Sequence, residues 1–146
     1  MATDSDAIAN LIYTYAERLD AGDLEGVAGL FAHATLRNDG FDGAFRGTDD
    51  ILELYRNSAM LYDGKPCTKH VTTNLIIEVD ESGKTATTRS YYTVLQARPE
   101  LPLQIIIAGR YHDRFARIDG VWCFTDRLIF IDLMGDLRYH LKFSLI

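Results

Sequence analysis

The second half of the chain constrains the fold most. Residues 67–80, 84–97, 103–118 and 121–133 are rich in Thr, Tyr, Val and Ile, and only the short segments "DESGK", "RPELP" and "IDG" separate them. Such stretches read as β-strands. Connections this short join neighbours in antiparallel order. Pro99 and Pro102 interrupt the run between the second and third strands, because proline cannot donate in a central ladder.

Ahead of this meander the period changes to helical. "TDSD" offers N-cap side chains and negative charge, and Ile8, Leu11, Ile12, Tyr15 and Leu19 then recur at helical spacing. In "DAGD", Gly22 is the expected left-handed cap. Asp23 starts a second, short helix, "LEGVAGLF", ending near His33. "ATLRND" reads as a strand, "GFDG" as a turn and "AFRG" as a short strand. Thr48 is the expected cap of a third helix, "DDILELYRNSAMLY", with Ile51, Leu52, Tyr55, Ala59 and Leu61 or Tyr62 on its inner face. Helices first and a meander afterwards is an α+β pattern. With no repeat and no linker, the expectation is one domain over residues 1–146.

Composition removes several function classes. The 146 residues are 47% hydrophobic and carry a net charge of −6. That balance disfavours a general nucleic-acid binder, which needs a basic surface. Apolar runs such as "QIIIAG" and "LIFI" are too short to span a bilayer, so no membrane partner is expected. The acidic "MATDSDAIANL" reads as no signal peptide, which makes the expected location cytoplasmic. Cys67 and Cys123 lack CxxC spacing and read as reduced thiols. No His or Cys spacing suggests a metal, and no phosphate loop is present, so no cofactor is expected. His33 and His140 read as structural or exposed. Ile106, Ile118 and Ile129 are assigned to an outer sheet face that needs covering, which points to a homodimer or higher homo-oligomer. The tail "GDLRYHLKFSLI" reads as an edge element or as cover for a subunit interface.

Two residues carry possible chemistry. Ile8, Ile12, Ala16 and Asp20 form one ridge of the first helix, apolar until Asp20. Asp20 either ends the helix in solvent or points into a cavity. In "TKHVTTNL", strict alternation puts His70, Thr72, Asn74 and Ile76 on one face and Val71, Thr73, Leu75, Ile77 and Val79 on the other. His70 is either a polar residue on a wet face or a proton acceptor suited to neutral pH. A nearby carboxylate would fix its tautomer and hold the imidazolium formed on proton abstraction.

Three segments bring a family into view: "YAERLDAGDLEGVAGLF", "KHVTTNLIIEVD" and "GRYHDRFARIDGVWCF". Together they resemble the SnoaL-like group of the nuclear-transport-factor-2-like superfamily, which includes scytalone dehydratase, bile-acid 7α-dehydratase and hexachlorocyclohexane dehydrochlorinase. The resemblance implies a cone of three N-terminal helices and a curved mixed sheet (cystatin-like). It implies a His–Asp dyad, with His70 as general base and Asp20 as its orienting partner, and Tyr15 as hydrogen-bond donor to a substrate oxygen. Asn74 is the implied substrate contact on the strand. Tyr55 and Tyr91 or Tyr92 read as core aromatics, and if the cone holds a cyclic substrate Tyr55 and Tyr92 are the expected contacts. The dehydrochlorinase carries an arginine where this chain has Ile131; Arg127, on the same strand face, either substitutes for it or is a surface residue. The implied activity is that of a cofactor-independent lyase, a dehydratase, or an isomerase, acting on a cyclic or polyketide-like small molecule. The same fold also serves as a non-catalytic binding or accessory subunit, and as a polyketide cyclase with Asp20 as base.

Overall fold

The fold is described from a computed structural model, over residues 2–145; Met1 and Ile146, the ends of the expected domain and of the tail, lie outside the described residues. Three helices, α1 (Asp4–Asp20), α2 (Leu24–Gly29) and α3 (Gly47–Ser58), pack against a six-stranded sheet. Its strands are β1 (Thr35–Asn38), β2 (Phe45–Arg46), β3 (Thr68–Val79), β4 (Thr85–Arg98), β5 (Leu101–Ile118) and β6 (Val121–Met134). The spatial order is β2-β1-β6-β5-β4-β3, with β1 parallel to β6 and every other pair antiparallel. The sheet is therefore mixed and open, as the family resemblance implied. Among the described residues no helix is long and apolar enough to cross a membrane.

Local chemistry explains most boundaries. Thr3 and Asp6 form a reciprocal capping box on α1, and Asp23 caps α2 through the Gly26 N–H. Gly22 has φ +77, and a Cβ there would meet the Gly64 carbonyl oxygen at 1.8 Å. The absent side chain lets the end of α1 lie against the loop that leads into β3. Thr48 does not cap α3: the helix begins at Gly47, and the Asp50 carboxylate takes the Arg46 N–H instead. α3 also stops at Ser58, short of the expected Tyr62, and Ala59 pairs with Leu141 of the tail. The tail is a tertiary partner that local helical spacing cannot register.

Strict alternation fails in β3 and β5, and bulges are the reason. In β3, Thr73 pairs with Tyr91 and Ile76 with Arg89, leaving Asn74 and Leu75 opposite a single residue. Asn74 takes φ +53, the left-handed region that asparagine tolerates better than most residues. The extra residue resets the pleat. Thr68 and His70 point inward before it, and Leu75, Ile77 and Val79 pack on the core after it. Val71 and Ile76 are exposed, so the two-face assignment read from "TKHVTTNL" crosses over at the bulge. In β5, Ile106 is unpaired between Ile105, opposite Leu95, and Ile107, opposite Val94. Ile106 is fully buried and Ile129 lines an interior cavity, so neither sits on the outer face assigned to them.

The bulge carries a testable consequence. Asn74→Gly should leave stability within about 0.5 kcal/mol of wild type, while Asn74→Val should cost about 1–3 kcal/mol for a β-branched residue in the left-handed region. Urea midpoints of the two variants decide it; equal midpoints would mean that β3 runs without the bulge.

Candidate active site

The last turn of α1 meets the start of β3, and there Asp20 receives three hydrogen bonds. Thr68 Oγ1 donates to Asp20 Oδ1 at 2.8 Å, and the His70 backbone N–H donates to Oδ2 at 2.9 Å. His70 Nδ1 lies 2.6 Å from Oδ1. The His70 and Asp20 side chains are only 7% and 10% exposed. Burial works to raise the Asp20 carboxyl, and the bonds from His70 and Thr68 outweigh it, holding the carboxyl below its ordinary value. The carboxylate also sits at the negative end of a helix dipole, which opposes its charge. These bonds are what keep it ionised there. An ionised Asp20 can only accept, so Nδ1 carries the ring proton when His70 is neutral. Nε2 is then the free basic nitrogen, and His70 lines the cavity while Asp20 stands behind it.

That cavity lies between the helices and the inner face of the sheet, with a volume of about 330 Å³. Its walls are mainly apolar, among them Leu19, Val94, Ile107 and Ile131. Tyr15 on α1 and Tyr55 on α3 bring their hydroxyls within 2.5 Å of each other at its edge. One hydroxyl donates to the other, which leaves one proton for a ligand. Burial pushes the Tyr55 phenol well above its ordinary range, so it stays a donor. Tyr92 also lines the cavity, stacked on Tyr111 with ring centroids 4.4 Å apart. Its hydroxyl is already committed to the Phe130 carbonyl at 2.8 Å. Gly109 permits this bond, since a Cβ there would collide with both partners.

Two expected contacts fall elsewhere. Asn74 is exposed on the β3 bulge, away from the cavity. Arg127 is fully buried, with Nε and Nη2 donating to the two carboxylate oxygens of Asp113 at 2.8 and 2.9 Å. Its guanidinium lies 3.7 Å from the Tyr111 ring centroid and 4.3 Å from that of Tyr15. Arg127 supports the two tyrosine rings and is not a lining residue. Arg127→Met should cost about 3–5 kcal/mol, because it strands a buried carboxylate. Adding Asp113→Leu should recover most of the loss in urea denaturation; no recovery would place the damage in the tyrosine packing.

His140 is the residue that sequence reasoning missed. The tail neither extends the sheet nor stands clear of it. It crosses the open end of the cone, anchored by Met60 N–H to the His140 carbonyl at 3.0 Å and Lys142 N–H to the Ser58 carbonyl at 2.9 Å. Tyr62 Oη and Gln96 Nε2 both donate to the Tyr139 carbonyl. His140 thereby lines the cavity beside His70, ring centroids 6.2 Å apart. The tail alternates Leu137, Tyr139, Leu141, Phe143 and Leu145 with polar residues, so a strand reading puts His140 on the polar face. Burial, reinforced by the neighbouring His70 and opposed by Asp20, pushes its pKa down from 6.5 to about 4. The unfolded chain therefore takes up this proton first as pH falls. His140 should lower stability progressively from about pH 6.5 towards pH 4, a slope that His140→Phe removes. Urea midpoints at pH 7.5 and pH 5 for both proteins test this. An unchanged slope in the variant would mean that His140 titrates freely.

Among the described residues no cluster of His, Cys, Asp or Glu has the arrangement of a metal site. Comparison with known proteins gives the context for this geometry. No curated protein matches the chain. Among solved structures, a protein of unknown function from Mycobacterium tuberculosis is 29% identical with a TM-score of 0.71, over 88% of this chain and 71% of that one. A protein from Novosphingobium aromaticivorans provisionally named scytalone dehydratase is 23% identical with a TM-score of 0.72, over 91% of this chain and 87% of that one. LinA is 23% identical with a TM-score of 0.71, over 90% of this chain and 88% of that one. Further neighbours are described as NTF2-like and as having a cystatin-like fold, which is the architecture seen here. The SnoaL-like domain profile matches residues 1–127, and the chain belongs to the SnoaL-like family.

Proposed function

We propose that the protein is a cofactor-independent lyase or isomerase that removes a proton from carbon in a cyclic small molecule. One observation carries this reading. His70 lines an apolar cavity while its Nδ1 lies 2.6 Å from a buried carboxylate, which leaves Nε2 as the basic nitrogen of the neutral ring. A surface histidine would need neither the carboxylate nor the cavity.

In the proposed step Nε2 takes a proton from a carbon next to an electron-withdrawing group. The imidazolium that forms is stabilised by Asp20. The electron pair then follows one of two routes. It forms a double bond and expels hydroxide from the next carbon, which leaves as water with the proton that His70 had taken. Alternatively it moves onto a carbonyl oxygen as an enolate, and His70 returns the proton to a different carbon. In either case Tyr15, backed by Tyr55, donates a hydrogen bond to the oxygen that gains charge. Tyr92 and the aliphatic walls hold the ring.

Hydrogen–deuterium exchange at carbon tests the proton transfer without knowledge of the natural product. With 2-tetralone in D₂O, followed by NMR, the wild-type protein should accelerate exchange next to the carbonyl. His70→Ala and Asp20→Asn should each reduce the acceleration by about 10²–10⁴-fold while circular dichroism stays native. Undiminished exchange in either variant would sink the dyad. Binding without any exchange in the wild type would favour the binding-subunit reading of this fold.

A further inference from the structure

The tail brings a polar group into the cavity that the dyad does not use. His140 Nδ1 is sealed from solvent and has no hydrogen-bond partner. A buried polar atom left unpaired is costly, and a protonated one more conspicuously so than a lone pair. The neutral ring therefore keeps its proton on the other nitrogen, Nε2, which none of the described hydrogen bonds engages. The ring lines the same cavity as His70. With ring centroids 6.2 Å apart, the two histidines stand side by side on one cavity wall, so a single ring compound can reach both.

From this placement we infer that His140 is a ligand-contacting residue: its Nε2–H donates a hydrogen bond to an oxygen on the ring compound whose carbon faces His70. Resting on the proposed function above, the inference adds a substrate requirement, an oxygen (phenol, enol or ketone) one or two bonds from the acidic carbon. It also assigns the tail a task beyond closure. Charge supports a neutral donor here. His70 becomes cationic after proton abstraction, and a second cation 6.2 Å away would oppose that step. A neutral imidazole can stabilise developing negative charge on oxygen without that conflict, and its depressed pKa keeps it neutral at pH 7.

A ring pair that differs by one oxygen isolates the contact. Binding of 2-naphthol and naphthalene is measured by NMR titration at pH 7.5 for the wild type, His140→Phe, His140→Gln and His70→Ala. The wild type should prefer 2-naphthol. His140→Phe should reduce that preference by about tenfold, the worth of one hydrogen bond, with naphthalene binding unchanged. His140→Gln retains a donor and should keep part of the preference, and His70→Ala should keep most of it. An equal loss for both probes in His140→Phe would show a packing role and overturn the inference. A preference that survives in His140→Phe would give the oxygen to Tyr15 instead, with the same consequence. Loss of the preference in His70→Ala alone would reassign the contact to the dyad. Failure of either probe to bind the wild type would remove the ring-binding reading and this inference with it, whereas carbon exchange that fails while the preference holds would overturn only the dyad.

Discussion

A single buried carboxylate at the end of α1 joins the helical layer to the sheet. Asp20 cannot sit there alone. Burial and the helix dipole both oppose its charge, and the Thr68 hydroxyl, the His70 amide and the His70 ring together offset them. Each of these donors lies within the first turns of the β3 ladder, so the bond set fixes the register of β3 against α1. It also fixes the tautomer of His70. Positioning and chemistry are therefore one interaction, and a substitution that weakens either weakens both.

Bulges determine what the cavity contains. Without the extra residue at Asn74, β3 could not place His70 inward near its start and Leu75, Ile77 and Val79 inward along its remainder. The slip at Ile106 lets two successive residues of β5, Ile106 and Ile107, both be buried, and Tyr111 and Phe115 follow Ile107 in phase on the inner face. Beneath the tyrosines, Arg127 and Asp113 form an ion pair with no solvent contact. Such a pair adds little net stability over an apolar replacement, but it tolerates no loss of one partner. Its effect is to hold Tyr15 and Tyr111 at a fixed height, which sets where the Tyr15 hydroxyl meets that of Tyr55.

Sequence patterns carried the elements well where periodicity or capping chemistry is local. The capping of α1, Gly22, Asp23 and the four-stranded meander are all of this kind, because a cap or a pleat is decided by a few neighbouring residues. The ridge ending at Asp20 was also legible, while alternation left the side of His70 open, and their meeting depends on tertiary packing that spacing cannot supply. The rest was hidden for identifiable reasons. A bulge conserves composition while reversing parity: slips at Ile106 in β5 and Thr125 in β6 moved Ile106 and Ile129 inward, and the slip at Asn74 took that residue out of line with His70. Arg127 reads as a polar strand residue until Asp113 is seen opposite it in the β5–β6 register. His140 stands on the polar side of an alternating tail segment, and only its return across the cone brings it to the site.

That return also has an energetic side. A base that works on carbon gains from exclusion of water, since electrostatic interactions strengthen as the site dries. The cone itself is open at one end, and the tail completes its wall with Leu141, Phe143 and Leu145. The tail is held by hydrogen bonds around Tyr139 to Lys142, each worth only about 0.5–1.5 kcal/mol net, and by Leu137 and Tyr139, which pack against the core. Since His140 rides on the tail, the segment that completes the cavity wall also sets its second imidazole beside His70.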